Sequence, residues 1–260
     1  VTAPSGEQFE LRAGSHRVVV VEVGGGIREW EGVLLGYGRD EMCSSGRGQV
    51  LAPWPNRLAG GRYAWDGDEL QLPVTEVSTG SAIHGLVRWA SWRAVEREEE
   101  RIVLEHVLHP QPGYPFALRL RVAYRLEERG LVVRTEAENV GARPGPFGVG
   151  HHPYVAAPDG VDALVLDGER IGGRRLDETQ RRSGGWRIEV GDVAVWADEA
   201  WPYVQLFTGD LPDIARRGLA IEPMTCPPQA FRTGEGVLRL SPGDVFRGEW
   251  GIDTDAATRP

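Results

Sequence analysis

The chain has little of what staples a small secreted fold. Only two cysteines occur, Cys43 and Cys226, far apart along 260 residues. A secreted chain in need of covalent cross-links carries more cysteines at closer spacing, so both read as free thiols. Long apolar runs are also missing. Val18 to Val21, the longest near the amino end, stops at Glu22, too early to cross a bilayer or to form a signal core. The expected location is the cytoplasm, with no membrane partner. Positive charge is in deficit, 29 Lys+Arg against 38 Asp+Glu for a formal charge of -9. The phosphate-neutralising surface that dominates nucleic-acid affinity therefore has no obvious source. Repeats, Pro/Ser linkers and like-charge blocks longer than the Glu96 to Arg101 cluster are absent, which predicts one domain over 1–260.

What is present must bury a core: 41% of residues are hydrophobic and 26% charged, as in ordinary globular proteins. The length exceeds that of an average domain but suits a large β-sandwich or barrel. The clearest periodicity lies at 117–140. There Leu118, Leu120, Val122, Tyr124 and Leu126 alternate with Arg119, Arg121, Ala123 and Arg125, the period of two expected of a half-buried strand. After Glu128-Arg129-Gly130 the alternation resumes, with Leu131, Val133, Thr135 and Ala137 opposite Arg134, Glu136 and Glu138, which predicts a hairpin. Similar runs occur at 17–23, 62–72 (turned at Asp66-Gly67-Asp68), 101–108, 193–197, 202–208, 219–223 and 236–240, and no amphipathic helix stands out. Thirty-five glycines and eighteen prolines punctuate them, as many reversals require. The fold class that follows is all-β, a large antiparallel sandwich or barrel.

Four segments break this grammar: Leu51-Ala-Pro-Trp-Pro-Asn-Arg57, Ala82-Ile-His-Gly-Leu86, Gly150-His-His-Pro-Tyr154 and Ile221-Glu-Pro-Met-Thr-Cys-Pro-Pro-Gln-Ala-Phe231. Glu222, between an apolar run and Pro223, is expected at a strand end, either at a pocket mouth or simply solvated. His151 and His152 are adjacent, so in an extended segment they point to opposite faces and cannot both address one metal or pocket. His84 alone reads as a half-buried histidine bonded to backbone, and His16, His106 and His109 carry no signal. Asn56 and Arg57 follow the stiff Pro53-Trp54-Pro55, where they could aim an amide and a guanidinium fork at hydroxyls or form a local ion pair. Nine tryptophans, among them Trp89 and Trp92, offer flat faces for sugar C–H surfaces, although most belong to a core.

Taken in order, these segments resemble the aldose 1-epimerase (galactose mutarotase) family, particularly its shorter bacterial members, which show similar "LAPWPNR", "IHGLVRW", "GHHPY" and "EPMTCPP" strings. "GRYAWDG", "GYPFALRL", "VQLFTGD" and "PGDVFRGEWGI" are also family-like. The resemblance covers the chain except 160–195. It implies a β-supersandwich with an open sugar cleft, worked by one acid and one base without cofactor or metal. By this resemblance Glu222 matches the base, His152 the acid, and His84 a second histidine near the ring oxygen. Asn56, Arg57 and Gln205 match binders of sugar hydroxyls. Between His152 and Gln205 the chain is shorter than its relatives, and Asp177 is the candidate for the family's substrate-binding Asp.

The residue types suit the task. A carboxylate that ionises near 4 and an imidazole that ionises near 6.5 can take one proton and give another at neutral pH. Rival readings are a sugar-binding protein without turnover, a hexose-phosphate 1-epimerase with extra cations in the cleft, and a metal hydrolase using His84, His152 and Glu222. A glycosidase needs a second suitably spaced carboxylate, and none is nominated.

Overall fold

A computed structural model gives the structure, described here for residues 2–254. It is all-β, built on two large antiparallel sheets. The nine-stranded sheet runs, in spatial order, Glu169–Arg170, Val165–Leu166, Trp186–Val190, Val193–Ala197, Val245–Asp253, Gly130–Asn139, Leu118–Glu127, Arg101–Leu108 and Arg93–Arg97. The hairpin expected at 117–140 lies within it, registered from Leu118↔Asn139 to Glu127↔Gly130. Leu118, Leu120, Val122, Tyr124, Leu126, Leu131, Val133, Thr135 and Ala137 are all buried, each large apolar side chain contributing about 1.5–3 kcal/mol against leaving it in water. The other face carries ion pairs such as Arg119–Glu138 and Arg121–Glu105. At that exposure they contribute little to stability.

The second sheet has six strands. Its path is Asp177–Arg181, Tyr203–Phe207, Gly218–Met224, Gly150–His151 and Val50–Leu51, and Tyr154–Ala156 also pairs with Gly218–Met224. Alternation sorts its side chains. Val204, Leu206, Leu219 and Ile221 enter the core shared with the nine-stranded sheet, so Gln205 and Glu222, paired in register, face the opposite side. A three-stranded sheet (Gln8–Ala13, His16–Val21, Ile27–Trp30) and three two-stranded pairs complete the strands: Arg57–Ala59 with Ser81–Ile83, Arg62–Trp65 with Asp68–Gln71, and Gly145–Phe147 with Leu238–Leu240. Among the described residues helix is limited to a 3-10 turn at Val161–Ala163 and one α turn at Ala230–Thr233. Among the described residues no helix is long and apolar enough to cross a membrane. Cys43 and Cys226 are free and buried.

Two expectations need correction. Glu222 does not end a strand, because Gly218–Met224 continues through Pro223. The amides of Ile221 and Thr225 donate to Pro153 O and Val149 O, so the N–H that proline lacks falls opposite the break between Gly150–His151 and Tyr154–Ala156. The solvated alternative for Glu222 fails with it, since the residue is 2% exposed. Trp89 and Trp92 do not line the cleft described below: Trp92 is core, and Trp89 is exposed outside it.

Candidate functional site

The polar face of the six-stranded sheet floors a cleft of about 620 Å³, within the range of small-molecule sites. All seven residues singled out in the sequence line it: Asn56, Arg57, His84, His152, Asp177, Gln205 and Glu222. His151 is not among them. It turns into the core against Trp201 and Trp250, with Nε2 2.8 Å from Thr135 Oγ1, the opposite-face outcome expected of adjacent residues in an extended segment.

Asn56 and His84 fix one another. Both adopt left-handed backbone, φ 55° and 60°, a region that Asn and His enter more readily than most residues. The Asn56 amide donates to His84 Nδ1 at 3.1 Å, and the His84 amide donates to Asn56 O at 2.9 Å. His84 is thus buried and backbone-bonded, and because Nδ1 accepts, its proton sits on Nε2. Gly85 lets the loop through: a Cβ there would lie 1.9 Å from Ala52 O. Arg57 forms a bidentate pair with Glu76, at 2.6 and 2.9 Å. Arg57 thus forms the local ion pair and at the same time lines the cleft.

On the far wall Gln205 Nε2 donates to Asp177 Oδ1 at 2.7 Å, and the Thr179 hydroxyl donates to Gln205 Oε1. Asp177 opens the edge strand of this sheet, so the shortened stretch still delivers a carboxylate to the cleft.

His152 and Glu222 meet at the centre. Nε2 and Oε1 lie 3.5 Å apart, and the residues are 4% and 2% exposed. His152 stacks on Tyr154, ring centroids 4.8 Å apart, and presents its edge to His84. His152 Nδ1 and Glu222 Oε2 are buried without a hydrogen-bond partner, and such a group wants a ligand. Burial, helped by Asp177 and opposed by Arg57, pushes the Glu222 carboxyl well above the usual carboxylate range. Burial, helped by Arg88, pushes His152 down to about 3. Burial thus acts on both groups in the direction of their uncharged forms, favouring the proton on the carboxyl over the carboxylate–imidazolium arrangement.

Sequence reasoning missed Glu76, Arg88, Tyr154, Phe207, Arg175 and Asp210, all of which line the cleft. Tyr154 and Arg88 stand within the quoted segments, two residues after His152 and four after His84, and position alone gave them no role. The metal-hydrolase trio does not assemble, for among the described residues no three His, Cys, Asp or Glu side chains are grouped to hold a metal ion.

The sequence model of the aldose 1-epimerase family matches residues 7–166. The chain belongs to the aldose 1-epimerase family. It is similar to the uncharacterized protein YihR of Escherichia coli K12, 32% identical over 286 aligned positions that cover 94% of this chain and 92% of YihR. Those positions outnumber the 260 residues here, so YihR carries insertions relative to this member of the family. The family fold is shared with a GalM/aldose epimerase homologue from C. elegans (TM-score 0.82, 14% identity, 95% of this chain and 98% of the other). It is shared also with galactose 1-epimerase from Lactobacillus acidophilus (TM-score 0.73, 16% identity, 93% and 91%).

Proposed function

We propose that this protein is an aldose 1-epimerase, a mutarotase that interconverts the α and β anomers of a free aldose. The observation that carries this reading is the buried Glu222–His152 pair, 3.5 Å apart at the floor of a sugar-sized cleft. Glu222 as carboxylate takes the proton of the anomeric hydroxyl, and His152 as imidazolium gives one to the ring oxygen. The C1–ring-oxygen bond breaks, its electron pair goes to that oxygen, and C1 becomes an aldehyde. Rotation about C1–C2 presents the other carbonyl face, and both protons return as the ring recloses.

The reaction is redox-neutral and balances with two proton transfers, so it asks for no cofactor. The 260 residues contain no lysine, which removes a Schiff-base route. General acid and general base catalysis typically contribute about 10²- to 10⁴-fold each. The neutral pair that burial favours holds as many protons as the carboxylate–imidazolium form, so the working state is reached by moving one proton between the partners. Asn56, Arg57, Gln205 and Asp177 bind the hydroxyls, and His84 Nε2–H donates beside His152.

The test is the decay of optical rotation of freshly dissolved α-aldoses, with and without protein. Acceleration is expected, together with loss of at least about 10²-fold in Glu222→Gln that melts no lower than the parent. Binding of aldoses without acceleration would make the protein a lectin-like member of the family instead.

A further inference from the structure

The charges along the cleft do not all cancel within the protein. Arg57 is held by Glu76, and Arg175 lies 3.5 Å from Asp210, which also holds Arg216. Arg88 lines the same cleft, and among the described residues its only side-chain hydrogen bond runs from Nε to Gln49 Oε1. Among the described residues no carboxylate approaches its guanidinium within 4 Å, and Nη1 and Nη2 meet no acceptor. Its neighbours Cys43 and Tyr154 bring no negative charge to offset it. Burial pushes the Cys43 thiol up to about 11 and the Tyr154 phenol above its ordinary range, leaving both neutral at pH 7. Glu76 is already committed to Arg57 and to the Thr79 hydroxyl.

This guanidinium is placed rather than stray. Gln49 is buried, accepts from Arg88 Nε at 3.0 Å and donates to Arg88 O at 2.8 Å. The Gln49 carbonyl in turn accepts from the His152 amide at 3.2 Å. One buried side chain thus ties Arg88 to the backbone of His152, and the guanidinium, its centre 5.5 Å from the Trp89 ring centroid, keeps Nη1 and Nη2 without a hydrogen-bond acceptor. A half-buried cation without a counter-ion is costly, and a ligand that brings the anion offsets that cost.

The two ends of the cleft differ. Arg88 is joined through Gln49 to the backbone of His152, whereas Asp177 is bonded to Gln205, the register partner of Glu222. Resting on the epimerase reading, His152 addresses the ring oxygen and Glu222 the anomeric hydroxyl. In a hexopyranose the ring oxygen is bonded to C1 and C5, and C5 carries the exocyclic C6. A cation on the His152 side of the cleft therefore meets whatever C6 bears.

We infer that the cleft selects aldopyranoses with an oxyanion on C6, and that Arg88 is the specificity-determining residue that receives it. One unpaired guanidinium matches one negative charge, so a carboxylate or sulfate monoester ranks ahead of a phosphate dianion.

The experiment compares kcat/KM for mutarotation of glucose, glucuronate, glucose 6-sulfate, glucose 6-phosphate and glucose 3-sulfate, using the whole protein and anomer-exchange NMR. Glucuronate and glucose 6-sulfate are expected to exceed glucose and glucose 3-sulfate by about tenfold or more, a margin that narrows between ~50 and ~500 mM salt. Arg88→Gln should bring that ratio close to one, and Arg88→Lys should keep part of it. A wild-type ratio of one or less overturns the inference, as does a ratio that survives Arg88→Gln. If the variants do not fold, the wild-type panel and its salt dependence decide. If no sugar is accelerated, the epimerase reading fails by itself. Calorimetry then decides anion selection: tighter binding of glucuronate than of glucose upholds it, and equal binding overturns it.

Discussion

His152 Nε2 and Glu222 Oε1 face each other across 3.5 Å in a region that water barely reaches. In the proposed mechanism the two groups titrate as a pair, and the working state is the one that holds a single proton between them. On that reading a second proton silences the base, and loss of the only proton silences the acid.

The pH profile of kcat/KM should therefore be a bell whose limbs belong to the pair. Burial pushes His152 down to about 3 and Glu222 upward. Uptake of the second proton thus comes well below the 6.5 of a free imidazole, and loss of the first comes above the ordinary carboxylate range. Initial rates from pH 4 to 10, corrected for buffer catalysis, check this. An acid limb centred near 6.5 would show that His152 titrates as an exposed, uncoupled histidine.

Glu222 should also lower stability in a pH-dependent way. Its folded pKa lies above the unfolded value, so folding is favoured with the carboxyl protonated, and that advantage is lost as pH rises from about 4.5 through the folded value. Glu222→Gln removes the ionisation. Its unfolding free energy relative to the parent should improve as pH rises through that window, by at most about 1.4 kcal/mol per pH unit for one proton. Urea titrations at pH 4 and pH 8 measure the difference, and a constant gap between the two proteins would contradict the buried-carboxyl account.

A backbone contact positions His152. Gly46 has φ 71°, and a Cβ built there lies 2.8 Å from His152 Cδ2, closer than carbon atoms tolerate. Gly46→Ala must therefore displace the imidazole or the loop. A misplacement on the order of 1 Å costs up to about 10²-fold, and the left-handed backbone adds about 1 kcal/mol of strain. The expectation is a fall of about ten- to a hundredfold in kcat with a smaller change in KM. Unchanged kcat in a folded variant would mean that His152 is not held from that side.

Much of this was legible in the chain because strands announce themselves by alternation. Leu118 to Ala137 sorted into buried and charged faces from the sequence alone, and the same rule separated His151 from His152. The candidate residues came from resemblance, whereas their relations came only from the fold. The clamp between Asn56 and His84 needs two left-handed residues 28 positions apart. Glu222 lies in the run of its strand rather than at the end because the proline's missing N–H happens to face a gap in the neighbouring ladder. Arg88 and Glu76 looked like any loop charges, and only the cleft shows that one is paired and the other free. Asp177 could be named from the shortened stretch, but its bond to Gln205 depends on an edge-strand register that loop composition does not specify.

His151 supplies a further prediction, set apart from the cleft. It is buried against Trp201 and Trp250, its Nε2 is shared with Thr135, and burial pushes its pKa to about 3. Its stabilising contribution is full above the unfolded value of about 6.5 and is lost as pH falls toward 3, at about 1.4 kcal/mol per pH unit. His151→Gln can reproduce the bond to Thr135 but cannot ionise. The variant is expected to be less stable at pH 7 because packing on two tryptophans is disturbed, and the deficit should shrink steadily as pH is lowered from 6.5 to 4.5. Equilibrium urea unfolding at four pH values reads the slope. Should the variant fail to fold, the His151 ring resonances of the parent decide: they should keep neutral-imidazole shifts down to pH 4.5, and a midpoint near 6 would place His151 in contact with water.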